Sequence, residues 1–114
     1  MKIDDIHDSH VLMIEYQPQS KRLIIRIKTE DELIVDLSFD GAIGWIFSPF
    51  EAQNILFSAN IYGHDNLPDN VWDEWEGLKA YAAAIKEHNA SIAILYPSVG
   101  FGGVILFTGS SPFL

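Results

Sequence analysis

The chain has no cysteine among its 114 residues. This absence excludes disulfide bonds, thiolate zinc sites and cysteine nucleophiles, and it suits a reducing compartment. The first residues, Met1 to Asp5, carry one lysine followed by acids and have no apolar core, unlike a secretory signal. A chain of this length is typical of one domain with one core. We therefore expect a single cytoplasmic domain over residues 1–114.

Basic side chains are scarce, and the middle of the chain has none. The formal net charge is −9, and residues 29–78 contain no Lys or Arg but eleven Asp or Glu. Because nucleic-acid affinity comes largely from Lys and Arg that neutralise phosphates, this composition argues against a nucleic-acid partner. An acidic surface instead steers association with basic proteins.

Residues 88–114 lack charged side chains altogether. The stretch 90–109 is long enough to span a bilayer, but Pro97 and the glycines at 100, 102 and 103 split it into two short apolar runs. We predict two buried strands joined by a turn, and no membrane span. Such strands are either covered on both faces or form the contact of a homodimer.

Alternation of apolar and polar residues predicts the strands of a mainly antiparallel sheet. The predicted strands cover residues 10–16, 22–28, 33–40, 42–47, 55–62, 91–96 and 103–108. We expect the first five to form a meander. Apolar residues at spacings of three and four predict one helix over residues 70–88, with Gly77 as a possible break. The expected fold class is α+β, with the helix packed on one face of the sheet.

The segment Asp4 to His10 holds two histidines and three carboxylates, which is the composition of a metal site. Side chains of an extended chain alternate, however, so His7 and His10 should point to opposite faces. We expect His10 at the rim of the core. A metal or ligand site would need His64, Asp65 and Asp69 to fold beside this segment. We predict no metal, no cofactor and no catalytic residues, since no nucleophile or phosphate loop has the sequence context it requires.

The start of the predicted helix combines acids with an aromatic residue. We expect Trp75 to lie on the core stripe and Trp72 to be half exposed. Exposed aromatics ringed by acids are typical of a protein contact. The residues predicted to bind a partner are Asp65, Asp69, Trp72, Asp73, Glu74 and Glu76.

Three segments, "HDSHVLMIEY", "ELIVDLSF" and "FEAQNILFSANIY", resemble a group of small bacterial domains, some of which look like immunity proteins of polymorphic toxin systems. The matching positions are His7-Asp8 and Gln53-Asn54, within residues 7–62. The resemblance implies a protein-interaction role and no catalytic residues. We therefore expect a non-enzymatic interaction domain, with an immunity-type inhibitor of a basic toxin as the specific form. The alternatives are a small metal- or ligand-binding protein using His7, His10, His64 and nearby carboxylates, and a structural homo-oligomeric module.

Overall fold

The fold is known from a computed structural model, which describes residues 1–113. Its strands are β1 (Ser9–Gln17), β2 (Arg22–Lys28), β3 (Ile34–Asp40), β4 (Ala42–Phe47), β5 (Ile55–Tyr62), β6 (Ser91–Val99) and β7 (Gly103–Phe107). The helices are α1 (Asp69–Glu74) and α2 (Ala82–His88), with 3-10 turns at Ile3–Ile6 and Leu78–Tyr81. All seven strands belong to one sheet in the order β3-β2-β1-β5-β6-β7-β4, and every pairing is antiparallel.

The predicted layout of a five-strand meander followed by one helix and two C-terminal strands is wrong. Of the first five strands, only β1, β2 and β3 form a meander. β4 leaves it and pairs with β7 at the far edge of the sheet, while β5 pairs with β1 and β6. Alternation identified the strands because it reports which residues face the core, but it carries no information about which strands are neighbours.

The sheet is strongly curled, because its two edge strands, β3 and β4, are consecutive in the chain. Gly41 alone links β3 to β4, at a positive φ of 66°, and the Ala42 amide donates to the Lys21 carbonyl across 2.8 Å. The concave face therefore encloses the main core. Its fully buried residues include Leu23, Ile25, Ile27, Leu37, Phe39, Leu56 and Phe101.

The strands β6 and β7 are buried on both faces, as the charge-free sequence predicts. Ala93 and Ile105 face the main core, whereas Ile94, Val104 and neighbouring residues pack under the helical segment. Both strands lie inside the stretch 90–109. No helix among residues 1–113 is long and apolar enough to cross a membrane. A homodimer through these strands stays a prediction.

The predicted helix over residues 70–88 is interrupted. α1 ends at Glu74, the backbone of the next residue, Trp75, is extended, and Gly77 takes a positive φ of 89° before the 3-10 turn begins. Glycine reaches this conformation without the steric cost that a Cβ brings, which explains why the break falls here. α2 then ends as expected at Asn89, whose left-handed backbone closes the helix. Among the apolar residues whose spacing of three and four predicted the helix, Val71, Leu78 and Ile85 are buried, while Ala82 is exposed.

A bulge in β1 changes the faces of its first residues. The register with β2 shifts between Val11 and Met13, so Val11 is buried and Leu12 is 47% exposed. His10 is exposed rather than at the rim of the core. The expectation for His10 failed because one extra residue in a strand reverses the faces on one side of it.

Candidate functional site

The predicted partner-binding acids lie on the outer side of the helical segment. Asp65 is in the loop after β5, and Asp69, Asp73 and Glu74 belong to α1; all are exposed, as is Glu76. Asp73 forms an ion pair with Lys79, with 3.0 Å between carboxylate and ammonium. Because both groups are exposed, this pair leaves the surface predominantly acidic without adding much stability.

Trp72 lines a groove beside these acids. The groove has a volume of about 540 Å³, and most of its exposed lining is apolar. Its lining residues are His64, Asp65, Trp72, Ala82, Ile85, Lys86 and Asn89. Trp72 also packs against the buried residues under the helices, so its ring is partly exposed and held in place. The prediction of a half-exposed Trp72 agrees with this position.

Tyr96 of β6 lies close to Glu74 on the same side of the molecule. Burial, reinforced by the negative charge of Glu74 and by Tyr62, raises the pKa of the Tyr96 hydroxyl above its ordinary value. The Tyr96 hydroxyl can donate to the carboxylate of Glu74. This arrangement holds an acid at the surface and provides no activated nucleophile.

Trp75 packs beneath the helical segment, in agreement with the prediction that it belongs to the core stripe. Its indole Nε1 is buried and has no hydrogen-bond partner among residues 1–113. The Trp75 ring contributes to the support of α1, whereas Trp72 contributes its exposed face to the groove.

The four histidines do not assemble into one site. His64 lies by the groove at the end of β5, whereas His7 contacts Phe57 near the beginning of β5, with 5.4 Å between ring centroids. At about 3.3 Å per residue, the strand separates these positions by roughly 20 Å. His10 pairs with Ile55 at that same distant end. The predicted combination of His7, His10 and His64 in one site is therefore not formed.

A different group forms around His7. Ligand atoms of His7, Asp8 and Glu30 lie within 4.8 Å of one another, and all three residues are exposed. Glu30 comes from the turn between β2 and β3, and our sequence reasoning missed it. The predicted meander could have indicated Glu30, because an antiparallel meander places the turn between β2 and β3 beside the residues that precede β1. His10 indeed pairs with Lys28.

An acidic cleft opens next to this group, below the beginning of β3. Its volume is about 360 Å³. It is lined by Met1, Asp4, Asp5, His7, Thr29, Glu30, Asp31, Leu33 and Val35. The lining residues carry four carboxylates against the α-ammonium group of Met1, so their net charge is negative and the cleft favours a cationic group.

Gln53-Asn54 is one of the two residue pairs that match the group of small bacterial domains. Within this pair, Asn54 has a structural role. Its side chain is 5% exposed and bonds three backbone groups: the amides of Glu51 and Phe101 donate to Oδ1, and Nδ2 donates to the Glu51 carbonyl. Asn54 thus ties the loop before β5 to the turn between β6 and β7.

No family model, curated protein or solved structure matches this chain. The geometry of the side chains is therefore the basis for assigning a function.

Proposed function

We propose that this chain is a non-enzymatic protein-interaction domain whose partner is a basic protein. The observation that carries the proposal is the position of Trp72, fixed in the wall of an apolar groove whose rim holds Asp65 and whose surroundings include Asp69 and Asp73. Anchored aromatic residues with a polar surround are the side chains that dominate binding energy at protein interfaces.

The groove suits a lysine or arginine side chain from the partner. The aliphatic stem of such a residue would lie against Trp72 and Ile85, while its charged end would reach Asp65. The surrounding acids would raise the association rate through long-range attraction. The rim of the groove also holds Lys86 and His64, which favour a partner with a hydrogen-bond acceptor next to its basic side chain.

An immunity-type inhibitor is the specific form of this proposal. Such a protein acts in the cytoplasm by covering a toxin, and an acidic binding face complements a basic toxin that acts on nucleic acid. The resemblance over residues 7–62 and the acidic face support this form. A gene for a large secreted toxin next to the gene for this chain would support it further.

A photocrosslinking amino acid at the groove tests the proposal. We expect position 82, which is exposed at the groove, to capture a basic protein in the native cell, and position 19, in the exposed turn between β1 and β2, to capture none. With the captured protein purified, Asp65→Lys combined with Asp69→Lys should slow association and flatten its dependence on salt. The variant pair Glu15→Lys and Glu51→Lys reverses two exposed acids away from the groove, changes the net charge by the same amount and provides the matched control. Unchanged association rates in the groove variant would contradict the proposal.

A divalent-cation site at His7, Asp8 and Glu30 is the second candidate function. One imidazole and two carboxylates within 4.8 Å favour it, because this ligand set suits zinc, manganese or nickel. A metal that binds only the folded state raises the melting temperature by mass action. We expect a rise with one of these metals that Glu30→Gln abolishes and His64→Gln does not. The absence of any shift at millimolar metal would rule it out.

A further inference from the structure

β3 is an edge strand, and its outer backbone groups are free except at Asp40. The Asp40 amide donates to the Ser110 carbonyl, and the Asp40 carbonyl accepts from the Gly109 amide, so the backbone groups of Asp40 point away from β2. Because these groups alternate along an antiparallel strand, those of Ile34, Asp36 and Ser38 also point outward. None of these three residues has a backbone partner on that side within residues 1–113.

Along residues 34–38 this edge lacks most of the usual protection against strand addition, since Asp36 is its one charged side chain there. β3 has no bulge and no proline along its seven residues, and the side chains of Leu33 and Ile34 are 61% and 57% exposed. Natural edge strands are normally shortened, bulged or covered. The other edge follows that rule, because β4 has a bulge next to Ala42, and Tyr81 lies against Gly44.

The acidic cleft lies where a strand added to this edge would place a side chain. Leu33 and Val35 line the cleft, and Val35 packs on the concave face of β3. On an added strand, the side chains that lie on the same face of the sheet as Val35 would project toward Asp4, Asp5, Glu30 and Asp31. Residues on the opposite face would meet Ile34.

Charge decides between a second copy and a basic partner. Two copies of the chain could pair through their β3 strands in an antiparallel arrangement centred on Asp36, which uses all three outward residues. In that arrangement Asp36 of one copy lies opposite Asp36 of the other, and Glu32 lies opposite Asp40. Like charges directly opposite one another are destabilising. A segment with lysine or arginine on one face has no such conflict and complements the cleft.

From these observations we infer that β3 binds an extended basic peptide segment by strand addition. The segment runs antiparallel to β3, pairs with the backbone of Ile34, Asp36 and Ser38, and inserts a lysine or arginine side chain into the acidic cleft. Main-chain bonds then supply affinity and the cleft supplies specificity. This site lies apart from the groove at Trp72, and each can be disabled without the other.

The test uses the peptide acetyl-Lys-Val-Lys-Val-Lys-Val-Lys-amide, which presents lysine on one face and valine on the other. We expect it to bind the full chain with backbone NMR shifts at Ile34, Asp36 and Ser38. N-methylation of the valines removes the donors that pair with β3 and should weaken binding by about tenfold or more. N-methylation of the lysines places the methyl groups toward solvent and should have a much smaller effect. A version with glutamate for lysine should not bind.

Two protein variants complete the experiment. Glu30→Gln with Asp31→Asn should weaken binding by several fold, whereas Asp65→Asn with Asp69→Asn at the groove should not. EDTA in every sample separates this site from cation binding. Equal binding of the two N-methylated peptides, binding of the glutamate peptide, or no binding at millimolar concentration would overturn the inference. So would a dimer in solution that protects the β3 amides.

Discussion

Replacement of Asn54 by alanine tests how the loop before β5 is held. The side chain makes three hydrogen bonds of 2.8 to 2.9 Å with backbone groups. Glu51 is exposed, so water can replace the two bonds that it loses. The Phe101 amide is buried and would lose its only partner, a loss that costs about 1–3 kcal/mol. With about 1 kcal/mol for the other two bonds together, we expect Asn54→Ala to lower the free energy of unfolding by roughly 2–4 kcal/mol.

Urea denaturation followed by circular dichroism measures this loss. We expect a lower midpoint with an unchanged slope, since the surface exposed on unfolding stays nearly the same. Gln53→Ala, at the neighbouring exposed position, is the matched control and should stay within about 0.5 kcal/mol of the natural chain. A loss below about 1 kcal/mol for Asn54→Ala would show that the loop is held by packing rather than by these bonds.

Three further variants test other parts of the structure. Gly100→Ala should lower the free energy of unfolding by more than about 2 kcal/mol, because Gly100 has a φ of +72° and an added Cβ would collide with the Asn54 side chain; a smaller loss in urea would contradict this geometry. Ser9→Ala should raise stability by about 1 kcal/mol in the same assay, because the buried Ser9 Oγ has no partner among residues 1–113; a loss would show that the hydroxyl is satisfied. The hydrogen bond from Arg26 lowers the pKa of Asp36. Arg26→Met should therefore raise the pKa of Asp36, as measured by NMR titration. The pair's stabilisation is present at neutral pH and is lost as the pH falls through the lowered pKa, so the two proteins should converge in stability in acid.

The local features of the sheet could be predicted from the sequence. The alternation of Leu23, Ile25 and Ile27 with polar residues reports burial on one face, and the structure confirms it. The partnership of β4 with β7 could not be predicted, because it depends on how far the sheet curls. The bulges could not be predicted either, and the bulge in β1 is the reason why His10 is exposed rather than at the rim of the core.

In the candidate sites too, features determined by local sequence could be predicted, and features that depend on contacts between distant segments could not. Trp72 could be predicted as half exposed because its neighbours in the chain are charged, and local sequence determines that property. The meeting of His7 with Glu30 and the cleft under β3 arise from contacts between distant segments. The sequence predicted only the meander, whose turn between β2 and β3 lies beside the beginning of β1 and could have indicated Glu30.

The pairing of β4 with β7 has a consequence for how the chain acquires its structure. β4 is synthesised directly after β3, yet its partner Phe107 and the rest of β7 emerge from the ribosome only much later. Long-range pairings of this kind are slow to form and leave strands exposed in the meantime. We expect β4, with Trp45 and Phe47, to be the segment that chaperones encounter during synthesis, and its docking on β7 to complete folding.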